Sequence, residues 1–212
     1  MNKIKEKLQN KEVTIGSWIT LGHPSIAEIM VKAGFDWLTV DMEHSAITLD
    51  KAADIVRTID LAGLIPLVRI DHNNPATIKR VMDIGAYGVI VPLVNSKNDA
   101  LQAVQAVKYP PEGTRGVGLG RAQGYGLEFD QYKNSVNRES LVVAQIEHID
   151  AIRNLEEILR VDGVDGSIVG PYDLSASLGV PGAFDHPKVK KAIRHYETIC
   201  QKLKKPMGYH VV

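Results

Sequence analysis

A small set of residues carries the chemistry of this sequence. "DMEHS" (41–45) closes an apolar run with Asp41, Glu43 and His44, and "LVRI" (67–70) sets Arg69 behind branched apolar residues. "QIE" (145–147) offers Gln145 and Glu147, while "GPYD" (170–173) ends on Asp173. Trp18 in "GSWI" and His210 in "MGYHVV" also fall near the ends of apolar runs. Histidine moves protons near neutrality, and a neighbouring carboxylate raises its basicity, which makes His44 a candidate acid/base group. Glu147 and Asp173 form a carboxylate pair with no cysteine and no His-x-x-x-His spacing beside it. That donor set favours a hard cation, Mg²⁺ or Mn²⁺, with positions left for water and substrate. Arg69 could hold a carboxylate or the oxygen of a developing enolate, or it could form a structural ion pair with Asp41 or Glu43. Singly, Glu147 reads as a loop cap, Asp173 as a helix-start residue and His44 as a structural histidine. Together at strand ends, they favour a site.

The elements that must position these residues alternate along the chain. Strands are predicted at 13–19, 37–40, 64–70, 87–93, 141–147, 166–170 and 207–212. Helical spacing occupies 25–33, 49–62, 75–84, 97–107, 149–159 and 187–204, with Pro75 and Pro187 in first turns. The strand runs are apolar nearly throughout, as parallel strands covered on both faces require. Seven βα repeats predict a single-domain α/β protein, a (β/α)8 TIM barrel whose last βα unit is missing from this chain. An open doubly wound sheet is the runner-up. In a barrel, catalytic groups gather at the C-terminal ends of strands, where this set falls.

The totals exclude several classes. Lys and Arg number 25 and so do Asp and Glu, leaving zero net charge and nothing to attract nucleic acid or an anionic membrane. Cys200 is the only cysteine, so no internal disulfide or cysteine zinc site is expected. The charged start "MNKIKEKLQNKE" and the lack of a long apolar run predict a soluble cytoplasmic protein.

Other candidates carry less. "GTRGVGLGRAQG" (113–124) lacks the Gly-Lys-Ser/Thr ending of a P-loop and does not follow a strand. It reads as a mobile loop over the active-site face that brings in Arg115 or Arg121. Gly170-Pro171 opens a helix whose free N–H groups could bind a carboxylate. No lysine lies within the central strands, and Lys205 precedes the seventh, which argues against Schiff-base chemistry. His148 is read as structural; His23, His72, His186 and His195 carry no signal.

Five segments, "GSWITLGHPSIAEIMVKAGFDWLTVDMEHS", "VPLVNS", "YPPEGTRGVG", "QIEHIDAIRNLEEI" and "VDGVDGSIVGPYDLSASLG", together resemble the HpcH/HpaI family of metal-dependent (class II) pyruvate aldolases. The similarity runs in order over nearly the whole chain. It implies a (β/α)8 barrel that reversibly cleaves a 4-hydroxy-2-oxo acid to pyruvate and an aldehyde, through a metal-chelated pyruvate enolate. It implies Glu147 and Asp173 as ligands of a divalent metal, Mg²⁺ or Mn²⁺ before Co²⁺. Gln145 and the backbone at Tyr172 and Asp173 would contact pyruvate, with Trp18 at the substrate pocket. Arg69 would stabilise the enolate and His44 would act as base, supported by Asp83 of "VMDIGAYG". Tyr172 stands where many members have a small residue. Members commonly swap a terminal helix between subunits, which implies a homo-oligomer, for example a hexamer. Rival expectations are a related barrel lyase of citrate-lyase-β or phosphoenolpyruvate-mutase type, and a non-catalytic binding barrel.

Overall fold

A computed structural model describes residues 2–211 and shows seven parallel strands in one curled sheet, in the order of the chain. The elements are α1 (Lys3–Gln9), β1 (Gly16–Ile19), α2 (Pro24–Val31), β2 (Trp37–Asp41), α3 (Leu49–Leu61), β3 (Ile65–Arg69), α4 (Pro75–Asp83), β4 (Gly88–Val91) and α5 (Lys97–Val107). They continue as α6 (Phe129–Glu139), β5 (Leu141–Ile146), α7 (Ile149–Arg153), α8 (Leu155–Leu159), β6 (Gly166–Val169), α9 (Pro171–Ser177), α10 (Pro187–Leu203) and β7 (Met207–Tyr209). All seven predicted strands are present, though shorter than their apolar runs; Val212 lies outside the described residues.

Local chemistry explains the helix starts. Pro24, Pro75, Pro171 and Pro187 occupy first turns, where a missing N–H costs nothing. Asn74 accepts hydrogen bonds from the amides of Ala76 and Thr77. His23, His148 and His186 cap in the same way: each Nδ1 accepts an amide two residues on, at 3.2 Å. The run predicted as one helix at 149–159 is two, broken at Asn154, whose side-chain amide donates to the Asn95 carbonyl at 2.8 Å.

Strand side chains divide between two cores. Leu38, Val40, Val68, Val89 and Ile146 face the helices and pack with Ile55, Ile59, Ile78, Leu155 and Tyr196. On the concave face, Ile65, Leu67 and Leu141 meet Ile4, Leu8 and Trp37, so α1 plugs the end where the strands begin. The two cores make the strands apolar on both faces, which removes any alternation from their sequences.

Among the described residues no eighth strand joins β7 to β1, so the sheet is a curled partial barrel and not the closed (β/α)8 form. A groove of about 740 Å³ lies between those edges, with Leu8, Trp18, Leu141, Ile168 and Tyr209 in its walls.

The 109–126 segment corrects an expectation. It follows α5, not a strand, so it lies at the N-terminal ends of the strands, away from the catalytic rim. It is also anchored. Arg115 is buried and donates to Asp83 Oδ1 and Tyr132 Oη, each at 2.9 Å, and to the Val107 carbonyl at 3.2 Å. Its guanidinium lies 4.6 Å from the Tyr109 ring centroid. Gln123 ties Asp83 to Tyr109, and Arg121 pairs with Asp60 at the end of α3.

Close packing at the strand starts fixes one glycine. A Cβ on Gly16 would sit within 2.0 Å of the Trp37 ring on the adjacent strand. Gly16→Ala should therefore cost about 1–3 kcal/mol, read as a lower urea midpoint, and Trp37→Leu should recover part of the loss. Equal midpoints for parent and Gly16→Ala would refute this packing.

Candidate active site

The site is organised by one carboxylate. Asp41 and Arg69 are direct register partners on β2 and β3, so their side chains emerge beside one another on the same face. Arg69 Nε donates to Asp41 Oδ1 at 2.9 Å and Nη2 to Oδ2 at 2.6 Å, a bidentate pair with both residues buried. Asp41 Oδ1 also accepts the amides of Glu43 at 3.0 Å and His44 at 3.2 Å. One side chain thus orients the guanidinium and folds the turn that carries the histidine. Burial pushes the Asp41 carboxyl up, but the Arg69 hydrogen bonds and charge outweigh it and hold the group below its ordinary value.

The network extends across the concave face. Gln145 on β5 accepts from Arg69 Nη1 at 3.4 Å and donates to Glu43 Oε2 at 3.2 Å and Glu147 Oε2 at 2.6 Å. Glu43 also lies 3.3 Å from Arg69 Nε. Glu147, 2% exposed, accepts the Leu93 amide on its other oxygen at 2.7 Å. Across from it, a Cβ on Gly170 would fall 2.9 Å from Glu147 Oε2, so only glycine lets this carboxylate approach the start of α9. Asp173 follows in the first turn of α9, exposed at the rim.

Trp18 forms the neighbouring wall. Its ring lies 4.4 Å under the Arg69 guanidinium and 5.3 Å from the His210 ring. Burial lowers the His210 pKa, and the Arg69 charge adds to that. His44 stands at the open side: its imidazole is 58% exposed, with Nε2 3.9 Å from Glu43 Oε2. Tyr172 contacts Phe184 edge-to-face, 4.9 Å between centroids, with both rings partly open to solvent.

Electrostatically the site is short of positive charge. Glu43 is pushed up to about 7, first by burial and then by repulsion from Glu147. Glu147 is also raised, by burial first, with Asp173 adding to it against the Leu93 and Gln145 hydrogen bonds. Among the described residues no cluster of three or more His, Cys, Asp or Glu side chains forms a closed metal cage. The Glu147–Asp173 pair fits a different kind of site, in which two oxygen donors hold a hard cation and the remaining positions stay open. A cation there would also relieve the repulsion that raises Glu147.

Three candidate members lie elsewhere. Asp83 ends α4, at the strand-start end of the sheet, bonded to Arg115 and Gln123; it makes no contact with His44 in this chain. Arg115 and Arg121 lie at that same end. Leu93 and Gly170, conversely, have no side-chain chemistry to flag them, and they act through backbone geometry.

Comparison with known proteins decides the family. Residues 14–205 match the profile described as HpcH/HpaI aldolase/citrate lyase. The chain belongs to that family. It is 39% identical over 208 residues to a 5-keto-4-deoxy-D-glucarate aldolase of Escherichia coli O139:H28 (strain E24377A / ETEC), covering 98% of this chain and 81% of the relative. A crystal structure of an HpcH/HpaI aldolase/citrate lyase family protein from Burkholderia cenocepacia J2315 superposes with a TM-score of 0.94 at 33% identity, over 99% of this chain and 84% of that one. An HpcH/HpaI aldolase from Desulfitobacterium hafniense DCB-2 gives 0.90 at 34%, over 99% and 82%. Family membership makes the chain a carbon–carbon lyase of the class II aldolase type.

The raised Glu43 carboxyl has a signed consequence. Its folded pKa lies above the unfolded value, so the folded state holds this proton more tightly. The stability it adds is present below the unfolded value of 4.5 and is lost as pH rises toward 7. In EDTA-treated protein, Glu43→Gln should therefore raise Tm relative to parent more at about pH 8 than at about pH 5. Thermal melts by circular dichroism read the difference; an equal shift at both pH values would show that the Glu43 carboxyl is not raised in the folded state.

Proposed function

We propose that this protein reversibly cleaves a 4-hydroxy-2-oxo acid to pyruvate and an aldehyde with the help of a divalent cation. The observation that carries the reading is the single rim on which Glu147, Asp173, Gln145, Arg69 and His44 converge. Glu147 and Asp173 would hold the cation, Mg²⁺ or Mn²⁺ by the hardness of their oxygens, with Co²⁺ admissible. When bound, it supplies Lewis acidity at the 2-oxo group of the substrate.

The protein's own groups supply the rest. Arg69 is fixed by Asp41 and underlain by Trp18, so its remaining N–H capacity presents a positive charge that needs no reorganisation as charge develops on the enolate oxygen. Gln145 and the backbone at Tyr172 and Asp173 would hold the pyruvate fragment. His44, exposed beside Glu43, would take the proton of the C4 hydroxyl as the C3–C4 bond breaks. The bonding electrons pass to C3 and the 2-oxo oxygen, and C3 is then reprotonated.

Asp83 can support His44 only from a second copy of the chain, since the two lie at opposite ends of one protomer. This fits assembly as a homo-oligomer, and the seven strands would then be the larger part of a (β/α)8 barrel. The E. coli relative is named for 5-keto-4-deoxy-D-glucarate. Numbered from its keto end, that compound is itself a 2-oxo acid with a 4-hydroxyl, and it is the first substrate to try.

Lactate dehydrogenase and NADH report pyruvate release. Protein loaded with Mn²⁺ should release pyruvate from this acid or others of its class, EDTA should stop the reaction, and added metal should restore it. His44→Ala should lower kcat/KM by about 10²–10⁴-fold. No pyruvate from any such acid, by protein that binds the cation, would overturn the proposal.

A further inference from the structure

Leu93 adopts a backbone conformation that its side chain does not explain. It follows β4 at φ 50°, in the left-handed region that a non-glycine residue enters at an energetic cost. The side chain is 55% exposed, so burial does not compensate. What the conformation achieves is a direction: the Leu93 N–H meets Glu147 Oε1 at 2.7 Å. Gln145 holds the other oxygen at 2.6 Å, and Gly170 leaves room on the far side. A glutamate has three side-chain torsions to fix, and here each oxygen has its own donor.

We propose that Leu93 is a positioning residue: its left-handed backbone aims the N–H that orients the Glu147 carboxylate for cation binding. This rests on the reading of Glu147 as a ligand. The donor is a backbone amide and cannot be removed by shortening the side chain, whereas the conformation depends on residue type. Glycine and asparagine tolerate positive φ, and valine, branched at Cβ, resists it. Metal affinity should therefore follow the backbone preference of residue 93, not its size or apolarity.

Titration of the intact chain with Mn²⁺, by calorimetry, tests this with Tm measured alongside. Leu93→Gly and Leu93→Asn should bind Mn²⁺ within about twofold of the parent, while Leu93→Val should lose about tenfold or more. Replacing Leu93 by its α-hydroxy acid analogue, which converts only that N–H into an ester oxygen, should also lose about tenfold. Mn²⁺ affinity within twofold of the parent for a folded ester variant, or a loss in Leu93→Gly as large as in Leu93→Val, overturns the proposal. If the ester variant does not fold, the contrast between Leu93→Gly and Leu93→Val decides, and equal affinities overturn it. Absence of saturable Mn²⁺ binding by the parent overturns the ligand reading and this proposal with it. Binding by the parent with an indifferent ester overturns this proposal alone.

Discussion

The buried pair between Asp41 and Arg69 is the constraint on which the rest of the site depends. Taking two charges out of water is expensive, and their attraction repays the cost only when geometry is good and remaining donors and acceptors are satisfied. Here the guanidinium meets the carboxylate through two nitrogens and also contacts Gln145 and Glu43. Asp41 accepts two backbone amides besides. Removing either partner would leave an uncompensated buried charge, a loss of about 3–5 kcal/mol in comparable cases. The pair is therefore better understood as a fixed reference point than as a source of stability. The orientation of Gln145 and the fold of the His44 turn are both set from it.

Beside that pair stand two carboxylates, Glu43 and Glu147, with incomplete neutralisation. Arg69 is already matched by Asp41, so Glu43 and Glu147 share what remains of its field. Two charges 4 Å apart interact by roughly 4 kcal/mol at an effective dielectric of 20, which is ample to raise a carboxyl group when no counter-charge is near. Burial is the first cause of the upward shifts of Glu43 and Glu147, and repulsion from Glu147 on the one and from Asp173 on the other adds to it. Such an arrangement is costly for a protein that only needs to fold, and useful for one that holds a cation and handles enolate charge.

Much of this was legible in the sequence, for physical reasons. Arg69 and Gln145 lie at the ends of apolar parallel strands and Glu147 just beyond one, and such strands deliver their ends to one rim, so spacing alone brings them together. Trp18 and Asp41 were legible in the same way. The long glycine-rich segment follows a helix that the sequence does predict, at 97–107, and that order alone places it at the strand-start end; its glycine-rich, phosphate-loop-like composition points the other way, and α6 behind it is too polar to show a clear apolar stripe. Asp83 illustrates the limit of resemblance: the matching motif names the residue but not the end of the sheet at which the fold places it. Within one protomer its partners are Arg115 and Gln123. Helix α1 was likewise hidden, since its apolar contribution is only Ile4 and Leu8 amid lysine and glutamate.

The least legible contributions are those made by backbone. Glu147 is held by an amide from Leu93, a side-chain amide from Gln145 and the space left by Gly170. Only Gln145 has a side chain whose chemistry announces a role. On the proposed reading of Glu147 as a cation ligand, a flexible glutamate would otherwise lose about 1.5–2 kcal/mol of rotamer freedom on being fixed by the cation itself, at the expense of affinity. Fixing it beforehand moves that cost into folding, where the many apolar contacts of the two cores absorb it. The conformation at Leu93 then follows as the local price of a carboxylate already aimed. Sequence patterns report which side chains can do chemistry; the residues that hold those side chains still can be of any type whose backbone will turn.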